Sequence, residues 1–575
     1  MPATPCGSNL GSAEDRLAQP QSVLQQLAPT SSDPREDLDR WRASRSTNFY
    51  DATPNLAASL RAHLGEHGLA AIEPGLRSFG QAVATVVDPA VDVLESAPPA
   101  LASADALGRE SQRVEFHTEY ARAGRAVWGS GIVSAPAFEQ AALLYLLAHA
   151  GEGGHTCPVV CTAGLVRALQ RYGTQEQRQR FLPPLLDADY DRSERGAQYL
   201  TEVQGGSDVG ANVVEAVPDG ELWRISGEKW FCSVADAEQF LITARVRGGP
   251  GGTRGIGCFL VPRTLSGGAV NGFRIRRLKD KLGTRSLATG EIEFTDALGY
   301  AIGEPQDGFR IAADAVLNTS RWLNALGSTG LMRRACLEAA SFSRTRTAFG
   351  RRIADYPLVR ENLAVMRVEE QAALASTLEL TALVQAIDDG TASEEDRAWH
   401  RILVNANKFS TSLAATQCVR RGIEALGGNG TIEDFSALPR LYRDAIVLES
   451  WEGTHNVLCD QVLRDLARFD ALELVLERAA GQLPAGGDGD SQAVERALEE
   501  LAPRMRGSLA GEPMHFRRQL DTLVRALQAG CLLARGDRAA AALHIRRHLV
   551  PGYDPESDRG YEELVEQVAG ADLDR

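Results

Sequence analysis

The feature that most constrains this chain is a double change of texture. Between about 197 and 312 the sequence breaks into short β-rich pieces: ELWRISGEKWFCS, QFLITARV, GIGCFLVPR, GFRIRRL and GEIEFTD. Gly, Pro and Asp separate them, and the alternation in WRISGEKWF predicts one buried face. On both sides the spacing of apolar residues is helical. Strands confined to one central block cannot alternate with helices in a βαβ sheet. The order therefore predicts an α+β fold with segregated layers.

Residues 1–44 are rich in Pro, Ser, Gln and Asp and read as a mobile arm. A helical N-terminal domain is expected over 45–196, with RYGTQEQRQRFLPPLLD as a helix stopped by Pro183–Pro184. The β domain, mostly antiparallel, follows over 197–312. A bundle of long helices is expected over 313–466, with Gly427–Gly428 as a stop signal. A helical extension fills 467–575 after the Gly-rich break at 484–492. A chain of 575 residues is long enough for several domains.

The longest apolar stretch, Ala141–Ala150, is far short of the roughly 20 residues that span a bilayer, so it predicts a buried helix and no membrane span. The start of the chain lacks a basic segment followed by an apolar one, so no signal peptide is read there. Nine scattered cysteines form no disulfide framework and fit a reducing cytoplasm. A net charge of −15 argues against a broad nucleic-acid surface. Lysine occurs only at 229, 279, 281 and 408, and arginine supplies nearly all the positive charge.

Five segments carry candidate chemistry. In Thr201-Glu202-Val203-Gln204-Gly205-Gly206-Ser207-Asp208 a Gly pair flanked by hydroxyls lets backbone N–H groups approach a polar ligand, and it equally suits a plain turn. Gly227-Glu228-Lys229-Trp230-Phe231-Cys232-Ser233 sets aromatics beside a hydroxyl at a strand end, which could cover a flat ring or simply fill a core. Arg344 to Arg352 contains four arginines, suited to a diphosphate or to a solvated helix face. Glu424 to Gly430 reads as a helix end with a Gly-rich turn. Leu448 to Asn456 places Glu452 between Trp451 and Gly453. A carboxylate buried beside an aromatic gains proton affinity and can act as a general base. His155, Cys157 and Cys161 lack a fourth nearby ligand, so packing is preferred to a metal and none is expected.

Taken in order, these segments resemble the acyl-CoA dehydrogenase superfamily. TEVQGGSD is similar to its TEPGAGSD loop, GEKWFCS to its G-x-K-x-W-I-T strand and RTAFGR to its R-x-x-FG-[KR] segment. EALGGNG is similar to its Q-x-LGG-x-G turn, and WEGTHN to the YEGT that carries the catalytic Glu. The TExQGGSDV wording, the KDKLGTRS segment, LPRLYRD and the helical extension resemble the AidB-like branch.

The resemblance implies FAD as cofactor. It carries flavin contacts to Leu200, Thr201, Ser207, Phe231 and Ser233, with Phe and Ser standing where the family usually has Trp and Thr. Arg346 and Phe349 would meet the FAD of a neighbouring subunit, and Gly427 and Gly428 its adenine side. Trp451, Thr454 and Asn456 would flank the flavin beside the base. Glu452 matches the catalytic Glu. Where some relatives place their base on another helix this chain has Ser320, so no carboxylate competes. Arg321 would support substrate or the neighbouring loop, or form a structural ion pair.

The implied reaction is α,β-dehydrogenation of an acyl-CoA or related thioester, with Glu452 taking the α-proton while hydride passes from the β-carbon to flavin N5. An electron-transferring flavoprotein as acceptor and a homo-oligomer, dimer or tetramer, are implied partners. The competing expectation is an AidB-like flavoprotein that protects DNA with little turnover. The extension opposes it: 14 Arg and no Lys face 19 acidic residues over 467–575, a net of −5.

Overall fold

The computed structural model describes residue 33 and residues 35–484 and 486–573. Most of the expected arm lies outside them. Its last part is not an arm: α1 (Glu36–Ala43) is a helix. Trp41 is fully buried, stacked on Phe435 at 4.8 Å and edge-on to Phe342 at 5.5 Å. One indole anchors a segment whose polar composition otherwise reads as solvated.

The N-terminal domain is largely helical, with α2 (Pro54–Ala82), α3 (Asp88–Leu94), a hairpin of β1 (Ala100–Ala104) and β2 (Glu110–Glu115), then α4 (Thr118–Trp128), α5 (Ala137–Leu147), α6 (Thr156–Tyr172) and α7 (Gln175–Leu185). The hairpin corrects an all-helical reading of 45–196; its residues are mostly exposed and carry little apolar alternation. RYGTQEQRQRFLPPLLD is also not one helix. It breaks at Gly173, and Thr174 restarts α7 through a reciprocal capping box with Gln177. Pro183 and Pro184 sit inside the last turn of α7 rather than ending it. The apolar run in α5 is buried on every side, as expected.

The β domain comprises β3 (Gly196–Tyr199), β4 (Glu215–Asp219), β5 (Leu222–Ser233), β6 (Gln239–Val246), β7 (Ile256–Pro262), β8 (Phe273–Leu278) and β9 (Thr289–Ala301). β6 pairs with β7, β7 with β9, β9 with β5, β5 with β4, and β4 returns to β6, so the sheet closes on itself. Closure removes the exposed edges of an open sheet. Pairing is antiparallel except where β3 and β4 meet β6.

The bundle is built on α8 (Asn318–Thr345), α9 (Pro357–Asp388) and α10 (Glu394–Leu426). A tight hairpin of β10 (Thr347–Ala348) and β11 (Arg351–Arg352) separates the first two. α10 ends at Gly427, whose φ of +62° favours a residue without a Cβ. Then come α11 (Leu438–Ser450) and α12 (His455–Phe469).

The extension is α13 (Leu472–Ala480), α14 (Gly489–Leu509), α15 (Phe516–Ala534), α16 (Arg538–His548) and α17 (Tyr561–Leu573). It is not a separate lobe. One apolar cluster runs from Phe49 through Leu378 to Ala569, while the β domain keeps its own. Asp572 of α17 enters the bundle and accepts from Arg333 at 2.8 and 3.0 Å and from Arg367. Burial alone would raise its pKa, but the two guanidinium groups hold it well below the usual carboxylate range.

Candidate active site

The first half of the site lies on the β domain. Glu202 and Lys229 form a fully buried ion pair at 2.8 Å. Glu202 also accepts from the backbone N–H of Val213 at 2.6 Å and of Val214 at 3.2 Å, and from Gln204. Burial pushes its pKa up, but Lys229 and these donors outweigh that and bring it below its ordinary value. Lys229 donates onward to the Leu200 carbonyl at 3.2 Å, and Trp230 N–H donates to the Thr201 carbonyl at 3.0 Å. The TE loop and the GEKWFCS strand are thus one unit. Gly206 is needed because a Cβ there would lie 2.4 Å from Thr201 Oγ1. Ser207 is exposed on the same loop.

The pairing of β5 with β9 slips between Lys229 and Cys232. A bulge of this kind re-aims side chains. Phe231 accordingly stands 54% exposed on an otherwise packed strand, with Ser233 closing the strand beside it. Lys279 sits 3.4 Å over the Trp230 ring and 4.9 Å from that of Phe231. The Ser233 hydroxyl lies 3.4 Å from that of Thr289.

The second half is the turn Trp451–Thr454 between α11 and α12. Trp451 packs against the apolar clusters of both the β domain and the bundle, so the turn lies at their seam. Its indole Nε1 is buried with no hydrogen-bond partner among the described residues. Glu452 has φ +57° and Gly453 φ +103°. A left-handed glutamate is uncommon and persists only where its surroundings hold it. Arg321 Nε donates to the Glu452 carbonyl at 2.9 Å, and its Nη1 to Asn405 Oδ1 at 2.7 Å. Lys408 Nζ donates to the carbonyls of Glu449 and Gly453 at 3.0 and 2.9 Å.

The Glu452 carboxylate itself receives no hydrogen bond from the described residues. Burial raises its pKa, and Arg321 and Lys408 only partly offset this. Burial likewise lowers Arg321 to about 10 and Lys408 to about 7, with Glu452 pulling each back up. Ser320 is buried and donates to Gln198 at 3.2 Å, leaving the rival base position without an acid.

Thr454, the residue before the first turn of α12, and Asn456 open onto a depression of about 200 Å³ that also includes Glu449, Ser450, His455 and Arg517. Arg517 comes from α15 of the extension and reaches Asn456 Oδ1 at 3.4 Å and His455 Nδ1 at 3.3 Å. Arg346 is half-buried where α8 ends, and Phe349 stands 87% exposed at the tip of the β10–β11 hairpin with φ +50°. Gly427 and Gly428 are exposed at the end of α10. These four are not brought onto the Glu452 turn of the same chain.

A larger cleft of about 530 Å³ lies between the β1–β2 hairpin and the β domain, but none of the expected site residues lines it. His155, Cys157 and Cys161 are packing residues: the imidazole stacks on Tyr120 at 4.2 Å, and the two Sγ atoms lie 3.7 Å apart in the β-domain core.

Sequence reasoning missed Lys279, Lys408, Asn405 and Arg517. The first two had a signal: all four lysines of the chain pack against one of these segments or its neighbours, and none is exposed.

The β-domain segment matches the family described as "Acyl-CoA dehydrogenase, middle domain" over residues 197–297. Residues 306–467 match "Acyl-CoA dehydrogenase, C-terminal domain". Residues 41–192 match "Adaptive response protein AidB N-terminal domain". The putative acyl-CoA dehydrogenase AidB of Escherichia coli is 33% identical over 454 residues, 75% of this chain and 80% of that one. The chain belongs to the acyl-CoA dehydrogenase family. Its N-terminal domain is of the AidB type, and the family is one of FAD-dependent oxidoreductases.

Acyl-CoA dehydrogenase family member 11 of Caenorhabditis elegans is 30% identical over 480 residues, 79% of this chain and 77% of that one. The solved structure of ACDH-11 from the same organism, in complex with C11-CoA, superposes with a TM-score of 0.79 at 27% identity and covers 89% of each chain. A Bacillus anthracis acyl-CoA dehydrogenase solved with FAD shares the fold, with a TM-score of 0.67 at 18% identity over 88% of each chain. Among the described residues no helix is long and apolar enough to cross a membrane.

Proposed function

We propose that the protein dehydrogenates an acyl-CoA between its α and β carbons, with FAD as hydride acceptor and Glu452 as the base. The observation that carries this reading is the state of Glu452. Its backbone is held by Arg321 and its turn by Lys408, yet its carboxylate has no hydrogen-bond donor among the described residues and has gained proton affinity. Glu202, by contrast, is a carboxylate saturated with donors. A carboxylate whose proton affinity is raised, and that no neighbouring side chain ties up, is the stronger base toward a weakly acidic carbon.

The residues fit FAD. Phe231 offers an exposed ring face beside the Ser233 hydroxyl, and the Leu200–Thr201 loop is fixed from beneath by Lys229 and Trp230. Leu200, Thr201, Ser207, Phe231 and Ser233 would hold the flavin ring, with Trp451, Thr454 and Asn456 beside the base. When bound, the flavin supplies the hydride-accepting centre. The chain's own part is to take the α-proton on Glu452, with Trp451 packed beside it at the seam of the β domain and the bundle. Arg321 acts in this reading as a support of the base-bearing turn, since its Nε and Nη1 are already engaged.

Phe349 is the ground for a homo-oligomer, dimer or tetramer. An aromatic 87% exposed at a hairpin tip, with Arg346 at its root, suits the diphosphate and adenosine of a neighbour's FAD, and Gly427–Gly428 leave open space for the adenine. An electron-transferring flavoprotein is the proposed acceptor. The eight described cysteines are all free, which favours a reducing cytoplasm. A DNA-protecting role is disfavoured, because Arg478, Arg504, Arg506, Arg525, Arg538 and Arg546 of the extension are each paired with carboxylates.

The test is an anaerobic bleaching screen of the FAD-loaded protein with acyl-CoAs, C11-CoA among them, on wild type and Glu452→Gln. Bleaching of wild type alone is expected. If no acyl-CoA bleaches wild type, the dehydrogenase reading fails; if the Gln variant bleaches as fast, the base is elsewhere.

A further inference from the structure

Lys408 is fully buried in the middle of α10, one turn after Asn405. No carboxylate oxygen lies within 4 Å of its ammonium among the described residues. The ammonium donates instead to two backbone carbonyls, those of Glu449 and Gly453, at 3.0 and 2.9 Å. They stand three residues before and one residue after Glu452. The two hydrogen bonds close a ring around Glu452, the one glutamate among the described residues whose backbone is left-handed. Arg321 takes the carbonyl between them, that of Glu452 itself.

An ammonium in this position is expensive unless it is needed, since burial of a charge without a contacting counter-ion costs several kcal/mol. A neutral side chain of the same length would leave two carbonyls without donors but would remove that cost. The charged groups that face Lys408 are Glu452 and Glu449, which stabilise its charge, and Arg321, which opposes it. His455 on α12 also lies close and is held neutral, its pKa lowered to about 4 by burial, Lys408 and Arg517.

We propose that Lys408 is a positioning residue for the base: it fixes the Glu452 turn through two carbonyls and lends the positive charge that favours the ionised carboxylate. This deepens the reading of Glu452 as the base and rests on it. The sign is definite. A positive charge nearby favours the ionised form of a carboxylate, so its removal raises the proton affinity of Glu452. Burial pushes the ammonium down to about 7, and its influence is lost where it gives up its proton.

The experiment uses FAD-loaded full-length protein and compares wild type, Lys408→Met, Lys408→Arg and Glu452→Gln. The pH dependence of anaerobic flavin reduction by C11-CoA is followed, together with backbone hydrogen exchange over 449–454 without substrate. Lys408→Met is expected to move the acidic limb of the rate profile up by about one pH unit. It should slow reduction about 10- to 100-fold, as a misplaced catalytic group does, and speed exchange in 449–454 but not along the rest of α10. Lys408→Arg should return the limb toward wild type.

Glu452→Gln inactive with an unmoved limb in Lys408→Met overturns the proposal and leaves the base intact. Glu452→Gln reducing as fast as wild type overturns the base, and the proposal with it. If Lys408→Met does not fold, or if C11-CoA reduces no variant, exchange over 449–454 in the shorter, uncharged Lys408→Gln decides. Local loosening there supports the clamp, and wild-type protection overturns it.

Discussion

Two glutamates in this molecule each stand near a buried lysine, and they end in opposite states. Glu202 touches Lys229 and accepts from three further donors, so its charge is stabilised in place. Glu452 lies near Lys408, but that lysine is turned to the backbone on either side of it. The first carboxylate falls below its ordinary pKa and the second rises above it. The same pair of residue types thus builds a bolt in one place and leaves a carboxylate of raised proton affinity in the other. The difference is whether the donors reach the carboxylate or only the chain that carries it.

Glu452→Gln should break the comparison most visibly. It keeps the shape and removes the proposed base, so flavin reduction by a bleaching acyl-CoA should fall about 10²- to 10⁴-fold with the thermal midpoint little changed. Glu202→Gln should do the reverse. It leaves Lys229 buried and uncompensated, which costs about 3–5 kcal/mol of stability in denaturant unfolding. An unfolding change below about 1 kcal/mol would mean that the β-domain pair is no bolt.

The pH dependence separates the two further. Glu202 has a depressed folded pKa, so its contribution is fully present above the unfolded value of about 4.3 and is lost as pH falls through the folded one. Glu452 has a raised folded pKa, so its ionisation opposes folding above that value, and activity should rise with pH through it. Stability below about pH 4 in Glu202→Gln, and the acidic limb of activity in wild type, read these separately. The smallest effect is expected from Gly453→Ala. At φ +103°, with Leu458 Cδ2 3.2 Å from the added Cβ, it should cost about 1–3 kcal/mol and shift the base, lowering the reduction rate more than the thermal midpoint.

The layered fold was legible because the β block differs in texture from the helices around it, and Gly427 marks the end of α10 as its residue type suggests. The β1–β2 hairpin was not, because its strands are largely solvated and show no buried alternation. Trp41 was hidden in a polar segment, since a single aromatic gives no periodicity. At the candidate site the motifs named Glu452, Thr201 and Phe231, and the structure sets Phe231 exposed on the β domain and Glu452 on a turn beside Trp451 at the seam with the bundle. Arg321 was named too, as a support of substrate or loop, but Lys408, which meets the turn, and Asn405, which holds Arg321, were not legible, because only packing brings them there. The rarity of lysine was visible from the start, but its meaning needed the contacts.

That rarity has a consequence for the molecule's surface. Two of the four lysines are wholly inaccessible, and the other two are partly covered, at Trp230 and at Thr289. The exterior therefore presents guanidinium and carboxylate groups but hardly any primary amine from a side chain. Guanidinium is a poor nucleophile at any pH near neutrality and stays charged. A reagent that seeks amines meets a surface with almost nothing to acylate.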